Sequence, residues 1–182
     1  MAKKKPLPRS LKMKALTAGA GGAACGNPIN FTMQQQQQTQ WCWAAVSTSI
    51  NLYYHPASGQ SQCAVANVAM NQTTCCQNGG SAQCNQPWFL DQALQIVNNL
   101  NAWSPGKAAL AAVKAEIDAC RPFCLRIAWK GGGGHFVVVR GYSWAGLNIA
   151  DPWYGNSVMN YSQFPSYYHG GGTWTDNYTT RS

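Results

Sequence analysis

A thiol, an imidazole and a carboxylate can together make a nucleophile, a general base and an orienting group. This chain carries them in that order. Cys42 lies in Trp41-Cys42-Trp43-Ala44-Ala45-Val46, His135 follows the run Gly131 to Gly134, and Asp151 precedes Pro152. Apolar residues at Trp43, Val46, Ile50 and Tyr54 recur in steps of three and four. That period predicts a helix with one buried face from Cys42 to Tyr54. Cys42 then stands in its first turn, where the helix dipole and unpaired N–H groups favour thiolate over thiol. A buried core cysteine is the competing reading, so the partners must decide.

Only three histidines are present. His55 falls in a turn after the first helix, and His169 precedes Gly170-Gly171-Gly172 in a loop. His135 opens the buried-looking run Phe136-Val137-Val138-Val139, with side-chain-free backbone before it that leaves room for a substrate. A satisfied core histidine is the alternative. Asp151 ends the next predicted strand, where it can accept a hydrogen bond from one imidazole nitrogen and leave the other for Cys42. As a turn residue before Pro152 it would have no such role.

The elements that must position these residues change character along the chain. Helices are predicted at Cys63 to Met70, Trp88 to Leu100 and Ala108 to Ile117, with a cysteine-rich, charge-free loop over 71–86. Strands follow at Cys124 to Trp129, His135 to Tyr142, Leu147 to Ala150, Ser157 to Phe164 and Thr173 to Tyr178. Helices first and strands second predict an α+β protein with two unlike lobes, a helical one over about 40–118 and a strand one over about 121–182.

Composition narrows the function. The net charge of +8 is concentrated near the start, where Lys3, Lys4, Lys5, Arg9, Lys12 and Lys14 lie. Without those residues the chain is nearly neutral, so no basic stripe for nucleic acid continues into the folded part. Residues 1–28 read as a basic leader; a degraded signal, a pro-segment and a tail for a specialised secretion system all fit. The small-residue run Ala15 to Ala24 is too short to span a membrane. Gln34 to Gln38 is a glutamine tract that reads alone as a low-complexity linker.

Eight cysteines predict disulfides and an oxidising compartment. Leaving out Cys42 as nucleophile and Cys25 with the leader, six remain: Cys63, Cys75, Cys76, Cys84, Cys120 and Cys124. Zinc is disfavoured because Cys75 and Cys76 are adjacent and no C-x-x-C occurs. The adjacent pair should bridge outward, one to Cys63 and one to Cys84, with Cys120–Cys124 as the third bridge; swaps among the six stay open. One free thiol, Cys42, is then expected.

Taken together, Gln36, Trp41-Cys42-Trp43-Ala44-Ala45, the Gln62-Cys63…Cys75-Cys76…Cys84-Asn85 block, Gly134-His135-Phe136-Val137-Val138 with Gly141-Tyr142, and Asp151-Pro152-Trp153 resemble the papain-like cysteine proteases of the bacterial avirulence-effector type. Staphopains are more distant relatives. The resemblance runs from about Gln34 to Tyr178. It implies a two-lobe papain-like fold, an N-terminal helical lobe facing a C-terminal antiparallel sheet or barrel across a cleft. Cys42 is implied as nucleophile, His135 as base and then acid, and Asp151 as orienter. Gln36, or Gln37 beside it, is implied as the oxyanion donor with the Cys42 backbone N–H. Trp41, Trp43, Gly134 and Trp153 are expected at the substrate site. The leader lacks the Val-Pro-x-Phe-Gly-x-Trp self-processing segment of plant-pathogen relatives, so that host target is not carried over.

The expected protein is a secreted, monomeric thiol endopeptidase acting on peptides, without a cofactor and without stable membrane insertion, as an effector or toxin against another cell. A peptidoglycan-directed amidase or peptidase, a leader-trimming peptidase and a catalytically silent carbohydrate-binding or adhesion module are the alternatives.

Overall fold

The computed structural model describes residues 25–182; the leader expectation for residues 1–24 lies outside the described residues. Three helices come first: α1 (Cys42–Tyr54), α2 (Gln62–Met70) and α3 (Leu90–Ile96). Strand β1 (Leu100–Pro105) and helix α4 (Leu110–Asp118) follow, then β2 (Phe123–Trp129), β3 (Gly134–Ser143), β4 (Gly146–Asp151), β5 (Gly155–Met159) and β6 (Gly172–Thr180). The strands form an open antiparallel sheet in the order β1-β6-β2-β3-β4-β5. The α+β reading holds.

Helix α1 is central rather than one-sided. Cys42 to Asn51 are all buried, between α2 and α3 on one side and β3 on the other. Two of its serines are paired within the helix: Ser47 donates to the Ala44 carbonyl and Ser49 to that of Ala45, whereas buried Thr48 Oγ1 has no hydrogen-bond partner among the described residues. Further along, Asn51 donates to the Val97 carbonyl and to Asn99 Oδ1. Each bond removes the cost of an unpaired group in the core.

The predicted helix over Trp88 to Leu100 ends early, at Ile96. Asn98 adopts a left-handed conformation with φ 60°, and buried Asn99 is held by Asn51 and by the Arg181 carbonyl. Leu100 therefore starts an edge strand paired with β6. Both β1 and α4 precede residue 121, yet β1 belongs to the sheet and α4 packs against β2 and β3. At the other end, the run predicted over Ser157 to Phe164 stops at Met159. There Asn160 Oδ1 accepts from the N–H and hydroxyl of Ser162, turning the chain.

The disulfides require a correction. Cys63 bonds Cys76 and Cys75 bonds Cys84, both within the expected set, but Cys120 bonds Cys25. Cys124 is free, buried in β2, where its side chain fills the core. Residues 25–28 are thus part of the fold rather than of a leader. Ile29 N–H donates to the Arg140 carbonyl, Tyr142 N–H donates to Asn27 Oδ1, and a Cβ on Gly141 would fall 2.6 Å from Pro28 Cα.

The glutamine tract is also built in. Buried Gln62 donates to Gln34 Oε1 and to the Gln35 carbonyl and accepts from Gln37 N–H. One side chain from α2 thereby fixes the segment that leads into α1.

Candidate active site

Cys42 is the first residue of α1, and no side chain caps the helix at Trp41. The first-turn N–H groups lack intrahelical acceptors. The approach is braced on both sides. Trp41 Nε1 donates to the Cys84 carbonyl at 2.8 Å and Trp43 Nε1 to that of Gln86 at 3.0 Å. Asn85 Oδ1 accepts from Gln40 N–H, and its amide donates to Thr39 Oγ1. The bridge Cys75–Cys84 closes the loop that makes these bonds. Gly79 must be small here, because a Cβ would meet the Trp41 ring at 2.9 Å.

His135 and Asp151 arrive on neighbouring strands. The glycine run before His135 turns the chain between β2 and β3, with Gly132 and Gly133 at φ 92° and 77°, values that favour glycine. His135 Nε2 lies 2.8 Å from Asp151 Oδ1. The ring also interacts electrostatically with the Cys42 side chain; with Nε2 on the carboxylate, Nδ1 remains for the thiol. The structure brings the three predicted residues together at one place.

Asp151 is held on both oxygens. Oδ1 also accepts from Trp153 N–H at 2.6 Å and Tyr154 N–H at 2.9 Å, while Oδ2 accepts from the Tyr168 hydroxyl at 3.0 Å. Burial raises its pKa, but His135 and the two backbone N–H groups outweigh burial and hold it below the ordinary carboxylate value. For His135, burial pulls the pKa down, yet the hydrogen bond to Asp151 and the interaction with Cys42, with the charges on both, push it up to about 9. The group therefore stays an imidazolium at neutral pH.

A cavity of about 460 Å³ opens beside the sulfur. Cys42, Trp43 and Pro87 to Phe89 line it from the helical side, and Arg126, Gly134, Phe136, Asp176 and Tyr178 from the sheet. Of the residues expected at the substrate, Trp43 and Gly134 line this cavity. Trp41 instead packs in the core, 1% exposed, because its indole braces the disulfide loop. Trp153 is half-exposed beyond Asp151 and does not line the cavity.

Gln36 is buried and Gln37 is exposed. Gln36 N–H donates to the Pro152 carbonyl, tying the segment before α1 to the turn after Asp151. Its side-chain amide donates to the carbonyls of Gln38 at 2.7 Å and Thr39 at 3.1 Å. Both amide hydrogens are thus engaged by the backbone of its own loop.

Three aromatic residues at the site were not singled out by the sequence. Trp129 stacks on His135, rings 5.8 Å apart and 21° from parallel. Tyr168 holds Asp151, and Tyr154 stands edge-on to His135. His169 stacks on Tyr154 at 3.5 Å, so the loop histidine belongs to the surroundings of the site. Trp129 ends the strand paired with that of His135, a signal available once the β2–β3 hairpin is drawn. Tyr168 has no local signal.

Residues 26–169 match the family described as papain-like cysteine protease AvrRpt2. None of the curated proteins matches significantly. Among solved structures, the peptidase domain of Streptococcus ComA, a bifunctional ABC transporter involved in quorum sensing, aligns at a TM-score of 0.55 and 19% identity, covering 84% of this chain and 100% of that one. A putative C39-like peptidase from Bacillus anthracis aligns at 0.53 and 13% identity, covering 84% and 96%. A double-glycine-motif protease from an AMS/PCAT transporter, in complex with its leader peptide, aligns at 0.51 and 18%, covering 86% and 95%. At these identities the likeness is one of fold, and the fold is that of papain-like peptidase domains. With most of its length matched, the chain belongs to the papain-like cysteine proteases of the AvrRpt2 family.

Proposed function

We propose that this protein is a secreted thiol endopeptidase, an effector acting on another cell, that cuts peptide bonds through Cys42, His135 and Asp151. The observation that carries the reading is the His135–Asp151 hydrogen bond together with the electrostatic coupling of His135 to Cys42, whose side chain lines an open cavity. In the first step the Cys42 thiolate attacks the scissile carbonyl carbon, and the carbonyl oxygen takes the negative charge. The His135 imidazolium gives its Nδ1 proton to the departing amine, leaving a thioester on Cys42. Water then attacks the thioester carbon while His135 takes its proton; the C–S bond breaks and the acid is released. Asp151 holds the ring in place and steadies its positive form.

The Cys42 backbone N–H, at the open first turn of α1, is the oxyanion donor that needs no rearrangement. Gln36 joins it only by giving up one of its two bonds to the Gln38 and Thr39 carbonyls. Three disulfides support secretion, because such bonds persist in oxidising compartments.

Casein and purified cell-wall sacculi, offered side by side to the wild type and to Cys42→Ala, test the reading. Casein cleavage by the wild type alone is expected. Release of wall peptides with casein untouched would replace it with the peptidoglycan-directed alternative.

A further inference from the structure

The cavity beside Cys42 contains two charged groups that hydrolysis itself does not use. Phe136 pairs with Arg126 across β3 and β2, and Arg126 pairs with Asp176 across β2 and β6. Directly opposed residues share a face of a sheet, so the three form one row, and all three line the cavity.

Arg126 and Asp176 are only partly engaged. Arg126 Nη1 donates to Thr175 Oγ1 at 3.0 Å and stands 3.9 Å from Asp176 Oδ2, too far for a hydrogen bond. Asp176 Oδ1 accepts from Trp103 Nε1 at 2.9 Å. Among the described residues, Arg126 Nε and Nη2 and Asp176 Oδ2 make no hydrogen bond. The guanidinium lies over Gly134: a Cβ there would fall 2.6 Å from Nη2, 2.9 Å from Cζ and 3.0 Å from Nε. The absent side chain next to His135 is therefore what admits Arg126 to the cleft wall.

We infer that this pair reads the substrate, and that the cavity takes a tyrosine side chain of the peptide with its hydroxyl between Arg126 and Asp176. The inference rests on the peptidase reading and names the residue class recognised beside the cut. The cavity walls include Trp43, Trp88, Phe89 and Phe136, which suit a ring. Its polar row offers a donor and an acceptor with no net charge. A phenol matches both, donating to Asp176 Oδ2 and accepting from Arg126. Phenylalanine fills the same walls and leaves both groups unmet. A glutamate that pairs with Arg126 meets the charge of Asp176, and a lysine or arginine meets the reverse.

The test is hydrolysis of peptide pools with Tyr, Phe, Glu or Arg fixed in turn at each position before the scissile bond, by wild type and Asp176→Asn. At one position the wild type should prefer Tyr over Phe by roughly tenfold, the worth of about one net hydrogen bond. Asp176→Asn keeps an oxygen for Trp103, so it should retain Phe hydrolysis while the Tyr-to-Phe ratio falls toward one. Equal cleavage of Tyr and Phe pools by the wild type, a preference for Glu or Arg, or an unchanged ratio in folded Asp176→Asn overturns the inference and leaves the peptidase reading standing. No cleavage of any pool, with Cys42 still alkylated by a thiol-directed epoxide, overturns the peptidase reading and this inference with it. Should Asp176→Asn fail to fold, the wild-type ratio alone decides.

Discussion

Asp151 Oδ1 sits 2.8 Å from His135 Nε2 while also accepting two backbone N–H groups, those of Trp153 and Tyr154. The same oxygen that orients the imidazole therefore also shapes the turn after β4. Catalytic alignment and the local backbone are coupled at one atom.

That coupling sets the pH response. The folded pKa of His135 is raised above its ordinary 6.5 to about 9. Its contribution to stability is complete below 6.5 and is lost as pH rises through about 9. Asp151 is depressed below 3.8, so its contribution is present above that value and lost as pH falls through the lower, folded one. The profile of kcat/KM should carry an alkaline limb near 9, where the imidazolium loses its proton. Melting temperatures compared between wild type and His135→Phe should converge above that pH; a gap unchanged from neutral to strongly alkaline pH would contradict the assignment.

Cys42→Ala and His135→Ala should each reduce peptide hydrolysis to background, and the double variant should be no worse, because the two groups act as one unit. His55, exposed at the end of α1, should be silent as alanine. His169→Ala, which removes the ring stacked on Tyr154, should lower turnover severalfold. Full inactivation by either of these last two changes would displace His135 from its role.

Asp151→Asn should be milder than Asp151→Ala, since the amide oxygen still accepts from the turn N–H groups and the imidazole. Tyr168→Phe leaves Asp151 Oδ2 without its buried donor, a loss of about 1–3 kcal/mol in stability. It should lower kcat with little change in KM, as expected of a residue that positions through Asp151. Equal activity of the Asn and Ala variants would reduce Asp151 to a turn residue.

Denatured but unreduced protein should show two free thiols, Cys42 and Cys124. In the native state only Cys42 should alkylate, because burial pushes the Cys124 thiol up and closes it to reagent. Cys25→Ser opens a bridge spanning 95 residues, which should destabilise by about 3–5 kcal/mol and expose a third thiol at Cys120. Finding Cys120 paired with Cys124 in a peptide map would reverse the assignment.

Much of the site was legible along the chain, because its signals are local. The helical period behind Cys42, the glycines before His135 and the Asp151-Pro152 step each concern a few consecutive residues. Together they pointed to helix α1, strand β3 and the end of β4. The period misled at Leu100, where the Asn99 contacts with Asn51 and Arg181 override a helical spacing. What the tertiary structure decided depends on residues far apart. Cys25 reaches Cys120 only because the first described segment runs along β3. Trp129 and Tyr168 converge on His135 and Asp151 through strand pairing and a turn that leave no local pattern. Arg126 meets Asp176 only through the register of β2 and β6. Local spacing determined which residues face inward, while long-range pairing decided which of them touch, because contact between distant segments is set by packing rather than by periodicity.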